Sequence, residues 1–176
     1  MKNSVFFGAL IALSFAFAHG PVLAMGDSGS SDTSVKKCKK GEAWDKTKKK
    51  CVKASAGVMP DEDLYQQGRA LAKAGEYDWA LTVLSAISNQ NDPRVLNYIG
   101  YSYRKSGEID KGIGYYQKAL AIDPNYVLVR EYLGEGYIAA GKVNLAKVEL
   151  AEIAKRCGTT CEEYQDLAEE LQKTAD

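Results

Sequence analysis

Cys157-Gly-Thr-Thr-Cys161 is the segment of this sequence whose residue types and spacing offer the most chemistry. Two thiols four residues apart in an unbroken helix do not bridge easily, but Gly158 breaks the helix and lets their Cβ atoms approach, which favours a structural disulfide. The alternative is an exchangeable redox pair, since a cysteine at the first position of a helix has a depressed pKa. The two-residue spacing of dithiol redox motifs is absent, so the structural bridge is the favoured reading. A soft metal site wants four ligands, and the only histidine, His19, lies in the N-terminal segment; no metal is expected. No histidine remains to activate a Ser or Cys, and no Gly-rich phosphate loop is present, because Gly112-Ile-Gly114 falls inside a predicted helix. The sequence therefore predicts no catalysis, no enzyme and no cofactor.

The N-terminus sets the compartment in which those thiols are read. Lys2 precedes an uncharged apolar run over 5–18, shorter than the roughly 20 residues of a membrane-spanning helix. Small residues at Ala24 complete a Sec-type signal peptide over 1–24, with Ala16-Phe17-Ala18 as a second acceptable cleavage site. An uncleaved anchor is disfavoured, because no stop-transfer charges follow closely. Cleavage after Ala24 leaves no integral membrane segment and places the protein in the periplasm or outside the cell. Export disfavours nucleic acid as a partner and favours disulfides for the four cysteines, which allow three pairings.

The charge is uneven although the formal net charge is zero. Residues 25–58 carry nine Lys against four acids, while 59–176 carry 13 basic and 19 acidic residues. This reads as a basic arm on an acidic body. Residues 25–58 are expected to be a flexible linker holding the Lys-rich stretch between Cys38 and Cys51, with the helical body over 59–176. Pro60 followed by Asp61, Glu62 and Asp63 suits the start of that body.

Helical segments then alternate with short breaks: 61–74 with 77–88, 93–106 with 109–122, and 126–140 with 143–156. Glycine closes each intra-pair turn at Gly75, Gly107 and Gly141. A last helix over 161–173 has Thr160 as N-cap and Glu163 completing a capping box. The helices are not independent, because Gly100, Tyr103 and Gly107 recur 34 residues later as Gly134, Tyr137 and Gly141. A repeat of that length is a helix pair unable to bury its apolar faces alone, and several must stack.

These residues resemble the tetratricopeptide repeat. Leu96, Ile99-Gly100, Tyr103, Gly107, Gly112, Tyr116, Ala119 and Pro124 follow its pattern in order, with Gly112 where Ala is usual. The third unit follows it through Leu133-Gly134, Tyr137, Gly141, Ala146 and Leu150, and has Gly158 in place of Pro. The first is more divergent, with Leu64, Gly68, Leu71, Gly75, Tyr77, Ala80, Leu84 and Ile87. The resemblance implies an all-α helix-turn-helix solenoid of three repeats, about 61–92, 93–126 and 127–160, with a capping helix over 161–173 and a small disulfide-stapled N-terminal segment.

In that family the first helix of each pair lines a concave groove. The same register here puts Tyr65, Arg69, Lys73, Asn97, Tyr101, Arg104, Lys105, Glu131 and Glu135 on the inner face, a bipolar groove. A clamp for a chaperone C-terminal carboxylate is disfavoured, because Tyr65, Arg69, Leu128 and Tyr132 stand where that pattern wants other groups. The resemblance implies a non-enzymatic scaffold that binds a protein or peptide. Gly41, Trp44-Asp45 and the cysteines beside them are similar to the stapled knuckles of extracellular cysteine-rich modules, which implies a Cys38–Cys51 bridge. Such a bridge stabilises a short loop by about 3 kcal/mol. Its lysines offer a second reading, attachment to an anionic envelope polymer or membrane surface. A thiol redox role for Cys157 and Cys161 is the third.

Overall fold

Apolar side chains recur at the helical period through the body of the chain, and the computed structural model shows seven helices there, preceded by a two-stranded hairpin. It describes residues 38–174; the expected signal peptide over 1–24, and the linker as far as residue 37, lie outside them.

The helices form three antiparallel pairs and a cap: α1 (Asp61–Lys73) with α2 (Tyr77–Leu84), α3 (Pro93–Lys105) with α4 (Ile109–Ile122), α5 (Val127–Ala139) with α6 (Val143–Cys157), and α7 (Glu162–Lys173). Gly75, Gly107 and Gly141 close the intra-pair turns with φ of 82°, 97° and 72°, the left-handed conformation that costs glycine least. Helix α3 starts on Pro93, with the Asp92 carboxylate accepting from the backbone N–H of Arg94. Helix α2 ends four residues before the expected 88. The segment that follows is tied back by the Asp61 carboxylate, which accepts from the backbone N–H groups of Ser88 and Asn89, and by the Gln90 amide on the carbonyls of Leu84 and Ile87.

Glycines set how closely the pairs approach. A Cβ on Gly112 would lie 2.8 Å from the carbonyl oxygen of Gly100, so α3 and α4 meet backbone to backbone. That contact is what the departure from Ala at this position provides. Tyr116, fully buried, fills the space beside Gly100. One period later Leu150 stands where Tyr116 does, and the side chain that meets Gly134 comes instead from α7: Leu167 would lie 2.5 Å from an added Cβ. The cap therefore tucks into the third pair, packing on α5 and α6. Its N-cap is Cys161, with no side-chain cap bond; the Thr160 capping box does not form, because the helix begins one residue later than expected. Cys157 and Cys161 are joined, as are Cys38 and Cys51.

The hairpin pairs β1 (Glu42–Asp45) with β2 (Lys50–Lys53), Trp44 opposite Cys51. The Asp45 carboxylate, buried, accepts from the backbone N–H groups of Thr47 and Lys48 and from the Lys48 ammonium, so the turn is organised around it. The Lys48 bonds hold its pKa below the ordinary carboxylate value. No strand was expected here, and the hairpin does not stand free. Gln67 on α1, 1% exposed, accepts from the backbone N–H of Trp44 at 2.6 Å and donates to the Trp44 carbonyl at 3.0 Å. The Trp79 indole N–H on α2 donates to the Glu42 carbonyl at 2.8 Å, and Ala43 is buried beneath.

Candidate binding groove

Each helix that begins a pair turns one face to a common cleft of about 420 Å³, and α7 closes its far side. Helix α1 contributes Arg69 and Lys73; α3 contributes Tyr98, Tyr101 and Lys105; α5 contributes Leu128, Glu131, Tyr132 and Glu135. The first turn of α7 adds Glu162, Glu163 and Asp166. Acidic residues there also suit the positive end of that helix.

Six of the nine residues placed on the inner face by the repeat register line this cleft together: Arg69, Lys73, Tyr101, Lys105, Glu131 and Glu135. The other three do not. Tyr65 is buried, its ring 6.0 Å from that of Tyr98 and covered by the Arg94 guanidinium at 4.6 Å. Asn97 is fully buried in the stack, with both polar atoms of its side chain unpartnered among the described residues. The Arg104 side chain is 8% exposed, ion-paired to Glu135 and donating from Nε to the Tyr116 hydroxyl at 3.2 Å. On α3 the stripe that lines the cleft runs through Tyr98, Tyr101 and Lys105; Asn97 and Arg104 each lie one residue, about 100° of rotation, off it.

The floor of the cleft is aromatic. Tyr98, Tyr101 and Tyr132 follow one another with centroids 6.2 Å and 5.3 Å apart. The cations of the α1 side lean on these rings. Arg69 Nε donates to the Tyr98 hydroxyl at 2.9 Å, and Lys73 Nζ donates to the Tyr132 hydroxyl at 3.1 Å while lying 5.7 Å from the Tyr101 centroid. Lys105 covers the same Tyr101 ring at 5.9 Å. Contacts of this kind stabilise by about 0.5–1 kcal/mol each and hold the long side chains in place.

The opposite wall is acidic, and among the described residues only Glu135, paired to Arg104, has a cationic partner there. Glu131 is 5% exposed and makes no hydrogen bond or ion pair among the described residues. Burial, with Glu135, Asp166 and Glu163 around it, pushes its carboxyl up to about 8, against the opposing pull of Lys73. At neutral pH this is an acid held mostly in its neutral form. The sequence register identified Glu131 and Glu135 but not the α7 acids, because α7 lies outside the repeat. The acidic face of the amphipathic 161–173 segment was the one available signal.

Of the two groups of potential metal ligands among the described residues, each includes a bridged cysteine pair, and only one reaches the cleft, through Glu163 alone. What the cleft can do is take an elongated chain, with aromatic faces for packing, cations at one side and carboxylates at the other.

Residues 93–126 match the family model of the tetratricopeptide repeat. Among solved structures, the chain is similar to residues 41 to the end of MamA from Desulfovibrio magneticus RS-1, with 26% identity and a TM-score of 0.51 over 53% of this chain and 54% of that one. The chain thus spans about half the length of that MamA structure. The Sgt2 tetratricopeptide domain from Aspergillus fumigatus aligns with a TM-score of 0.58 at 19% identity, over 68% of this chain and 83% of that one. The first tetratricopeptide domain of Spaghetti (RPAP3), bound to the HSP90 peptide SRMEEVD, aligns with a TM-score of 0.58 at 17% identity, over 69% and 98%. No curated protein sequence matches the chain. The last two likenesses bear on the fold alone.

Proposed function

From the premise that α1–α7 form a tetratricopeptide-repeat solenoid, we propose that the protein is an exported adaptor whose concave cleft binds a segment of another envelope protein. The observation that carries this reading is the cleft itself: three tyrosines in its floor, three cations on one side and five carboxylates on the other. Aromatic and cationic side chains held in a pocket are the usual energetic centres of protein interfaces. The RPAP3 structure has a peptide bound to the same fold. The apolar N-terminal run and the two disulfides support an oxidising compartment.

The test is affinity capture from an envelope extract with the wild-type chain and two charge reversals. Arg69→Glu, in the cleft, is expected to lose the captured partner; Lys147→Glu, on exposed α6, is expected to keep it. Equal capture by both would place recognition elsewhere, and fractionation with cytoplasmic markers would remove the export part of the reading.

A second surface supports a second reading. Lys39, Lys49, Lys50 and Lys53 on the hairpin are exposed and have no ion pair among the described residues, which suits attachment to an anionic polymer. Retention on such a polymer that persists at 1 M salt would count against it.

A further inference from the structure

The two sides of the cleft are not equally satisfied. On the α1 side, Arg69 and Lys73 already donate to tyrosine hydroxyls. On the α3 side, Arg104 is consumed by Glu135, and Lys105 lies over Tyr101. Opposite them, Glu131 sits nine-tenths buried with no partner while facing into the open cleft, and the α7 acids Glu162, Glu163 and Asp166 surround the same corner without a cation of their own. A buried unpartnered carboxyl is costly in a finished structure, and it becomes favourable when a ligand supplies the missing donor. The acids are too dispersed to chelate a metal ion, since no three of their oxygens among the described residues converge within 4.8 Å. The complement that fits is an extended organic cation whose several N–H groups reach more than one carboxylate and whose stem lies along Tyr101 and Tyr132.

We infer that the α5–α7 corner of the cleft is a subsite for a lysine or arginine side chain of a bound peptide, with Glu131 at its floor and Glu163 and Asp166 at its rim. This rests on the cleft being the binding groove. It makes the partner segment one that carries a basic residue, the reverse of the acidic, carboxylate-ended ligands that a basic clamp selects.

Seating the cation has a proton balance. Glu131, largely neutral in the free cleft at pH 7, becomes a carboxylate against the incoming ammonium or guanidinium, and its proton goes to the buffer. Binding that releases a proton tightens as pH rises, by up to about tenfold per unit, and levels off once the free carboxyl is ionised near pH 8. The charged groups around Glu131 are Lys73 from α1, Lys105 and the paired Arg104 from α3, Glu135 from α5, and the three acids of α7. No histidine is among the described residues, so none of the neighbours of Glu131 is a group that ordinarily titrates between pH 6 and 8.

The experiment uses the full chain and an array of acetylated, amidated dodecapeptides in an Ala/Ser background. Each carries one Arg or Lys and one Glu at separations of one to six residues, with matched peptides in which citrulline or Gln replaces the cation. Captured members are then titrated from pH 6 to 8.5. The inference expects capture to require the cation, affinity to rise with pH over that range, and Glu131→Gln to weaken binding by about tenfold or more and flatten the profile. The rim double variant Glu163→Gln with Asp166→Asn is expected to weaken binding severalfold and to keep a rise with pH that levels off at lower pH, since both acids help raise the Glu131 carboxyl, and it covers the case in which Glu131→Gln misfolds. Peptides that bind equally well as citrulline versions, lose affinity in Arg69→Glu and ignore Glu131→Gln would overturn this inference and leave the groove reading standing. Failure of the array to yield any peptide sensitive to Arg69→Glu would remove both.

Discussion

Gln67 makes two of the hydrogen bonds that dock the hairpin on the first helix pair, and removing it gives a calculable loss. Gln67 supplies both an acceptor and a donor to the Trp44 backbone and donates also to the Asp63 carbonyl at 3.2 Å. Gln67→Ala strips two backbone groups of Trp44 of their partner. Each costs about 1–3 kcal/mol when left unpaired away from water, and the site is only partly buried, so about 1 kcal/mol apiece is the fitting value. The lost methylene and carboxamide packing adds about 1 kcal/mol, for a total near 3 kcal/mol. The Trp79 bond to Glu42 and the exposed pairs Lys46–Asp63 and Lys40–Glu76 remain, the last two contributing little. The Cys38–Cys51 bridge keeps the hairpin intact while it detaches. Native-state hydrogen exchange reads the result directly: amides of β1 and β2 are expected to exchange about 100-fold faster, while those of α5 and α6 change little. Gln67→Glu, which keeps an acceptor and loses the donor, is expected to fall between the two. An exchange rate in the hairpin within threefold of wild type would refute the role of Gln67. An equal loss of protection in α5 and α6 would refute the local character of the docking.

Two further predictions concern the stack and the cleft. Glu131 has a folded pKa near 8, raised from 4.5, so its contribution is fully present below pH 4.5 and is lost as pH rises towards 8. Glu131→Gln removes that loss and is expected to be more stable than wild type by about 2 kcal/mol at pH 8 in urea unfolding, after discounting for solvent in the cleft; parallel pH profiles would sink the claim. Gly134→Ala drives a Cβ against buried Leu167 and is expected to cost about 1–3 kcal/mol, whereas Gly114→Ala, which meets nothing within 4 Å, is expected to gain about 0.5–1 kcal/mol; thermal melts in which the two shift alike would contradict the packing described.

The stack was legible because its packing contacts recur at a fixed period. Gly100 and Gly134 mark where a second element comes close, and Gly75, Gly107 and Gly141 mark turns only a left-handed residue closes at low cost. The charge segregation of the cleft could be read from Arg69 and Lys73 against Glu131 and Glu135, but its boundaries could not. Asn97 and Arg104 differ from the lining residues by one helical position, and the rotation of α3 is fixed by the backbone contact at Gly112, which residue types do not reveal. The acids of α7 escaped because the cap obeys no repeat; its placement follows from Leu167 entering beside Gly134. The hairpin escaped for a different reason. Its core is borrowed from α1 and α2, so the short segment between Cys38 and Cys51 shows almost no apolar pattern of its own, and Gln67 on a helix face gave no hint of bonding to a strand.

The hairpin on the first pair and α7 on the third have a joint consequence. Stacked repeats are open-ended objects, and each bare terminal face invites another copy to dock and carry the series on. Here both terminal pairs are sealed by chain that is not itself a repeat. Among the described residues the series thus runs to three pairs, and the cleft they line keeps one span, bounded by α1 at one side and α7 at the other.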